Sequence, residues 1–176
     1  MRGYFGLGVE GISKPMNAGS LFRTAHAFGA EFVFAIAPAV NLRMIRKADT
    51  SETAKHVPLY EYPTVEDLQL PRGCQLVGLE FLDGATDLPS FTHPERAAYV
   101  LGSERGTLSP ALLARCSHVV RIPTRFCVNI AVAAAILMYD RMLTRQRFAP
   151  RPVGAGGPVD DLPPHKHGGR FTRRER

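Results

Sequence analysis

The sequence predicts a single α/β domain with a mostly parallel sheet and helices on both faces. Short apolar segments rich in Phe, Val and Ile, such as 31–37 and 97–101, alternate with segments of helical character. This alternation is typical of parallel sheets whose connecting helices cover both faces. A length of 176 residues suits one domain. We expect that domain to cover 1–148 and a separate tail to cover 149–176.

The predicted strands are short and evenly distributed along the chain. They cover 3–9, 31–37, 75–79, 97–101 and 119–122, with a further candidate at 57–60.

Three helices are predicted between and after these strands. The first starts near Pro15 and Asn17 and stops at Gly29. The second starts at Ser109 and Pro110, a cap followed by proline, and runs to about residue 116. The third covers about 129–147. Its first half is apolar nearly all round, so we expect it to be buried.

The tail differs from the domain in composition. It is rich in Pro and Gly and poor in large apolar residues, so it is predicted to be disordered until it binds a partner. The net charge of +6, with a pI near 9.6, is concentrated towards this tail. Such a charge favours a polyanionic partner.

Several functional classes are disfavoured. No apolar run is long enough to span a membrane, and the first residues lack the pattern of a signal peptide. The cysteines Cys74, Cys116 and Cys127 are odd in number and form no CxxC pair, which argues against disulfides and a metal site. A cytoplasmic protein with reduced thiols is therefore expected.

Gly6, Gly8 and Gly11 form a GxGxxG pattern, the sign of a dinucleotide-binding turn. A true fingerprint places its third glycine in a starting helix. Pro15 would break that helix, so we do not expect a Rossmann nucleotide site.

Three other segments combine polar residues with strand ends or helix starts. Segment 15–23 contains Asn17 and Arg23, and Arg23 is expected beside the apolar face of its helix, where its charge would need a partner. Segments 102–106 and 121–129 each follow a strand. Parallel strands present their carboxyl ends at one edge, so the three segments are predicted to form one site.

These segments resemble the three signature motifs of the SpoU family of the SPOUT superfamily of methyltransferases. The matching stretches are NAGSLFRTAHAFGA, YVLGSERGTLSP and RIPTRFCVNIAVAAAILMYDR. The resemblance extends to about residue 147 and does not include the tail.

The resemblance implies a trefoil knot near the C-terminal part of the domain, a homodimer and S-adenosylmethionine as cofactor. The cofactor loops would be 79–82, 102–106 and 122–129. It implies cofactor contacts at Leu79, Gly102, Glu104, Gly106, Ile122, Cys127 and Asn129. The implied catalytic residues are Asn17, Arg23, Glu104 and Asn129.

The resemblance also implies an RNA substrate, with the ribose 2′-hydroxyl as acceptor and tRNA as the first expectation. In our interpretation Arg23 binds a phosphate and stabilises the forming alkoxide, because a guanidinium stays protonated. Contacts to RNA phosphates are predicted for Arg23, Arg145, Arg147, Arg170, Arg173 and Arg174.

The third motif departs from the family pattern. Cys127 and Ala131 replace two usual serines, and the loop before Asn129 is shorter. This leaves open an inactive RNA-binding module that keeps the cofactor pocket. An rRNA substrate and a methyltransferase for proteins or small molecules also stay open. An unrelated doubly wound enzyme lacks support, because neither G-x-S-x-G nor a phosphate loop occurs.

Overall fold

The structure is a computed structural model that describes residues 3–42, 56–103, 106–145, 148 and 154–157. The chain divides into two units, residues 1–146 and 147–176. Every helix and strand among the described residues belongs to the first unit. The predicted boundary after residue 148 and the disorder of the tail remain predictions.

Among the residues that the structure describes, seven strands form one sheet. They are β1 (Phe5–Glu10), β2 (Phe32–Ile36), β3 (Leu59–Tyr62), β4 (Gln75–Leu79), β5 (Thr86–Asp87), β6 (Ala97–Leu101) and β7 (His118–Arg121). Their order in the sheet is β3-β2-β1-β6-β4-β7-β5, and every adjacent pair is parallel. The predicted parallel α/β class is therefore confirmed.

The described helices are α1 (Pro15–Ala27), α2 (Pro110–Arg115) and α3 (Ile130–Arg145), with a 3-10 turn at Leu88–Ser90. Apolar residues of α1 and α3 share one core cluster with β1 and β6. Leu112 of α2 belongs to a second cluster with Phe34 and Val100. Side chains alternate across a strand, so the two clusters lie on opposite faces of the sheet and helices cover both.

Helix boundaries follow local chemistry. At α2 the Ser109 hydroxyl accepts a hydrogen bond from the Leu112 amide at 3.2 Å, which confirms the predicted cap. Helix α1 begins at Pro15, as predicted, with Lys14 as the cap residue and Asn17 inside the first turn. Gly29 has a φ of +78°, the left-handed conformation that ends helices.

Two glycines of the GxGxxG pattern have a packing role. A Cβ on Gly6 would lie 2.3 Å from the Phe32 ring, and one on Gly8 would lie 2.2 Å from the Phe34 ring. Both glycines belong to β1 and make room for aromatic side chains of β2. This agrees with our rejection of a Rossmann nucleotide turn.

The expectation that the first half of α3 is buried all round is wrong. Ala134, Leu137 and Met138 are buried, but Val132, Ile136 and Tyr139 are exposed. The spacing of the exposed residues places them on one face of the helix. The helix is therefore buried on one side and carries an apolar outer face, which composition alone did not reveal.

Candidate active site

A cavity of about 430 Å³ lies at the carboxyl edge of the sheet. Its wall comes from three lengths of chain, which follow β4, β6 and β7. The described lining residues are Leu79, Glu80, Phe81, Leu101, Gly102, Ser103, Gly106, Thr107, Ile122, Thr124, Cys127, Val128, Ile130 and Ala133. Ligands of parallel α/β sheets bind at this edge, so the position suits a small-molecule site.

The cavity contains most of the residues that the sequence assigned to cofactor binding. The predicted residues in its wall are Leu79, Gly102, Gly106, Ile122 and Cys127. Asn129 lies between Val128 and Ile130, both of which line the cavity. Glu104 lies outside the described residues. The structure thus brings these positions together, while their contacts with a cofactor remain predictions.

A hydrogen bond joins the first and third motifs. The Asn129 side-chain amide donates to Oδ1 of Asn17 at 3.2 Å. The other end of the Asn129 side chain accepts from the Ala131 amide at 2.9 Å and so caps α3. Asn129 therefore fixes the start of α3 and its contact with the first turn of α1 at the same time.

Two side-chain hydrogen bonds shape the loop between β7 and α3. Arg121 Nε donates to Asp87 Oδ1 at 2.6 Å, and this hydrogen bond raises the pKa of the guanidinium above its usual value. Further along, the Thr124 hydroxyl donates to the Phe126 carbonyl at 2.9 Å. The aromatic ring of Phe126 is 75% exposed. A tight turn thus presents Cys127 and Val128 to the cavity.

Two carboxylates hold the segment that enters α2. Glu80, directly after β4, accepts hydrogen bonds from the amides of Phe81 at 2.9 Å and Leu108 at 2.8 Å. Glu10, at the end of β1, accepts from the Ser109 amide at 2.8 Å. Because β1 and β4 flank β6 in the sheet, the segment that follows β6 is attached on both sides.

Gly102 allows this arrangement by its lack of a side chain. A Cβ there would lie 3.1 Å from each of three atoms: Glu80 Oε2, the Gly106 carbonyl oxygen and the Leu108 nitrogen. These distances are short for a carbon atom, so a larger residue would push the Glu80 carboxylate away from Leu108.

Comparison with known proteins decides the family. The SpoU rRNA Methylase family matches residues 5–139, which include the seven strands that the structure describes and the three motif segments. The chain belongs to the SpoU rRNA Methylase family.

Two curated relatives show how this SpoU member compares with others. It is 31% identical over 154 residues to the 23S rRNA (guanosine-2′-O-)-methyltransferase RlmB of Coxiella burnetii, covering 82% of this chain and 59% of the relative. It is 25% identical over 144 residues to the tRNA (guanosine(18)-2′-O)-methyltransferase of Escherichia coli, covering 78% and 62%. The chain therefore spans about six-tenths of the length of these relatives.

A solved structure supports the fold of the SpoU domain. The AdoMet-bound rRNA methyltransferase from Sinorhizobium meliloti aligns with a TM-score of 0.73 at 21% identity, covering 84% of this chain and 59% of that one. At this identity the comparison bears on the fold alone.

Two predicted basic residues of this SpoU member lie away from the cavity wall. Arg23 is exposed on α1, so the cost of burial that was expected for a guanidinium on or beside the apolar face does not arise there. Arg145 Nη2 lies 3.3 Å from Glu95 Oε1. Glu95 directly precedes β6, so this ion pair is at the amino edge of the sheet. Arg147, Arg170, Arg173 and Arg174 lie outside the described residues.

Other features of this SpoU domain concern metals, thiols and membranes. In residues 3–42, 56–103 and 106–145, no group of three or more His, Cys, Asp or Glu is placed to bind a metal. All three cysteines are free thiols. Within the same part of the chain, no helix has the length and apolar character needed to cross a membrane.

Sequence reasoning assigned no individual role to Glu10 or Glu80, although Glu80 lies in the predicted cofactor loop 79–82. Each is an acidic residue that ends or directly follows a parallel strand, a place where polar side chains often serve a site. That position was the available signal. The partners of these residues, the amides of Ser109 and Leu108, depend on the course of a distant loop and were not visible in the sequence.

Proposed function

We propose that this chain is an S-adenosylmethionine-dependent RNA methyltransferase that modifies ribose 2′-hydroxyl groups, with tRNA as its substrate. The observation that carries the proposal is the cavity, because the second and third motif segments line it and the Asn129–Asn17 hydrogen bond links the first motif to it. Membership of the SpoU family supports the reaction class.

The cavity fits the proposed cofactor in size and chemistry. Its volume of about 430 Å³ is within the usual range for small-molecule sites. Leu79, Ile122 and Val128 offer apolar surface to an adenine ring, and Glu80 offers a carboxylate to a cationic ligand. The related structure from Sinorhizobium meliloti has AdoMet bound. When bound, the cofactor supplies a methyl group on a positively charged sulfur.

The residues of the first and third motifs would serve the acceptor. Arg23, exposed and permanently charged, binds the phosphate next to the target ribose and stabilises the forming alkoxide. A phosphate oxygen or a water molecule takes the hydroxyl proton. Asn17 and Asn129 hold α1 and α3 in register, so that Arg23 keeps its position relative to the cavity. We assign to Glu104 the role of orienting the side chain of Arg23 or Asn17.

The choice of ribose as acceptor rests on the relatives. Both the Coxiella burnetii and the Escherichia coli proteins are named as guanosine 2′-O-methyltransferases, one acting on 23S rRNA and the other on tRNA. The net charge of +6 is compatible with either RNA. We favour tRNA and keep rRNA as the alternative. A cytoplasmic location belongs to the same proposal, because the RNA substrates are found there.

Mass-spectrometric mapping of 2′-O-methyl nucleotides tests the proposal. In cells lacking the protein, one mark in tRNA should disappear. The wild-type gene should restore it, and the Arg23→Ala variant should not. Loss of a mark in rRNA would instead favour the alternative substrate. An unchanged set of marks in both RNA classes would contradict the assignment.

An inactive RNA-binding module is the second candidate. The observation in its favour is that Cys127, which lines the cavity, and Ala131 replace the usual serine hydroxyls. Calorimetry with S-adenosylmethionine followed by methyl incorporation into total RNA separates the two. Binding without incorporation would identify the module, whereas incorporation would exclude it.

We also propose a homodimer formed through the outer faces of α1 and α3. Met16 at the start of α1 is 82% exposed, and Val132, Ile136 and Tyr139 form an exposed apolar face on α3. The two helices pack against each other, so these residues form a surface suited to a second copy. Sedimentation should show a dimer for the wild type and a monomer for Ile136→Glu; a monomeric wild type would refute this.

The trefoil knot is part of the same proposal. Strand β7 lies between β4 and β5, and the segment after it shares the cavity with the segments after β4 and β6. We expect the chain after β7 to pass through a loop formed by the earlier segments. A crystal structure traced continuously from β4 to α3 would test this, and an unthreaded path would contradict it.

A further inference from the structure

We propose that Glu80 makes the cavity selective for the charged methyl donor over its demethylated product. This inference rests on the proposed function, since it concerns how the same cavity distinguishes S-adenosylmethionine from S-adenosylhomocysteine. The two molecules differ by one methyl group and one positive charge. A residue that senses charge would therefore help the used cofactor to leave.

The position of Glu80 supports this role. The residue lies directly after β4, is half-buried and lines the cavity. Its Oε1 accepts from the Phe81 amide at 2.9 Å and its Oε2 from the Leu108 amide at 2.8 Å. A carboxylate has about four acceptor positions, so these bonds fix its orientation and leave capacity for a ligand.

Glu80 differs in charge from the other residues of the described cavity wall. Among the lining residues that the structure describes, it is the only one with a charged side chain, and most of the others are apolar or small. Apolar walls exclude water and reduce the screening of a charge. A carboxylate held in such a wall stabilises a nearby cation more than an exposed carboxylate would.

The charge of the ligand changes during the reaction. The methyl group moves from sulfur to the ribose oxygen: the S–C bond breaks, its electron pair stays on sulfur, the O–C bond forms, and the hydroxyl proton leaves to a phosphate oxygen or water. The donor has a net charge of about +1 and the product about zero, because the sulfonium becomes a neutral thioether. Glu80 therefore attracts the donor more strongly than the product.

Glu10 provides a matched control. It is also half-buried at a strand end and accepts from the Ser109 amide at 2.8 Å, next to the amide that Glu80 holds. It is absent from the described cavity wall. Replacing Glu10 by Gln loosens the same segment without removing charge from the cavity wall. The two variants therefore separate positioning from charge recognition.

The experiment is calorimetric titration of the full chain with S-adenosylmethionine and with S-adenosylhomocysteine. In Glu80→Gln the Kd for the donor should rise on the order of tenfold, while the Kd for the product should change by about threefold or less. The ratio of the two Kd values should thus move towards the product. In Glu10→Gln both Kd values should change by the same factor.

A third variant tests whether an altered ratio of Kd values comes from loss of the charge or from loss of the local structure. Glu80→Asp keeps the charge but shortens the side chain, so it should weaken the hydrogen bond to Leu108 while preserving most of the preference for the donor. If Glu80→Gln changes both Kd values equally, Glu80 only positions the loop and the inference is wrong. If the wild type binds neither molecule, the proposed cofactor itself is wrong. The two failures are thus distinguishable.

Discussion

Arg23 is exposed on α1, where a permanently charged guanidinium can reach a phosphate without a cost of burial. We expect Arg23→Ala to lower the single-turnover rate of methyl transfer by about 10²- to 10³-fold, because a donor to the developing negative charge is lost. The Kd for S-adenosylmethionine should stay within about twofold, because Arg23 is absent from the cavity wall.

Arg23→Lys is the matched control for this prediction. It keeps the charge but loses the planar fork of the guanidinium, so an intermediate rate is expected. Rapid-quench kinetics measures the rate and calorimetry measures the cofactor Kd. Equal losses of rate and cofactor affinity in Arg23→Ala would show that this residue supports the cavity and not the acceptor.

The residues of the site were only partly predictable from sequence. The segments that contain Gly102 and Ile122 were predicted to meet because parallel strand ends lie at one edge of the sheet. The cofactor contacts of these two residues were implied by the resemblance to the SpoU family. The exposure of Arg23 was not predicted, because Arg23 is adjacent in sequence to the buried Phe22. The spacing of apolar residues does not fix the width of the buried face of α1. Glu10 escaped notice because its hydrogen bond to Ser109 joins residues that are 99 positions apart.

Helix α3 is anchored to the sheet by a buried polar network at the edge opposite the cavity. Arg141, 5% exposed, donates to the Tyr99 hydroxyl at 2.9 Å and to the carbonyls of Pro94 and Glu95 at 2.7 and 2.9 Å. The Tyr99 hydroxyl lies 2.6 Å from Nδ1 of His93. Tyr99 is thus held from both sides, and burial raises its pKa to about 12.

The His93 side chain completes this network in its neutral form. Nε2 of His93 lies 2.9 Å from Asp140 Oδ1, so Nε2 donates a hydrogen bond to Asp140 and Nδ1 accepts one from the Tyr99 hydroxyl. Burial lowers the pKa of His93 below its usual value, although Asp140 opposes this and Arg141 and Arg145 add to it. The folded protein therefore favours an uncharged ring.

This lowered pKa predicts a pH-dependent stability. Below about pH 6.5, His93 is protonated in the unfolded chain but stays neutral in the folded chain, because its pKa is lower there. The free energy of unfolding therefore falls as the pH decreases towards the pKa of His93 in the folded protein. Above that range both states are neutral and the effect vanishes. Urea midpoints at about pH 7 and about pH 5.5 measure this for wild type and His93→Gln.

The wild type should lose more stability between these two pH values than His93→Gln does, since other titrating groups are common to both. Equal losses would mean that His93 does not titrate as the network requires. The absolute stability of the variant does not decide the question, because the difference between the two pH values is the quantity compared.

Secondary structure was largely predictable because its signals are local. The strands at 75–79 and 97–101 were predicted at their observed bounds, and the others to within about two residues. Strand β5 was missed because Thr86–Asp87 is too short to show a pattern. The outer face of α3 was misjudged because an apolar sequence does not distinguish burial in a core from exposure on a surface.

At the scale of the whole molecule, the basic tail is assigned a role in RNA affinity. Its arginines lie outside the described residues, and this role is inferred from their charge. Truncation after Phe148 should weaken RNA binding and reduce the slope of log K against log salt by about 0.7 to 0.9 for each lost phosphate contact. The measurement is RNA binding at several salt concentrations.

A variant with the full tail length but fewer charges distinguishes the loss of charge from the loss of chain. Replacing Arg170, Arg173 and Arg174 by Gln keeps the tail length and should reproduce part of the effect. Unchanged affinity and slope in both variants would show that the tail does not contact RNA. The cofactor Kd should be the same in all three proteins.

The proposed activity requires the cavity at the carboxyl edge of the sheet to bind S-adenosylmethionine. Calorimetric titration with that cofactor tests this requirement most directly. Wild type should bind about one molecule per chain, and Cys127→Trp should abolish binding, because an indole at this exposed lining position fills the cavity without disturbing the core. No binding to the folded wild type up to roughly 1 mM, or undiminished binding to Cys127→Trp, would contradict the account.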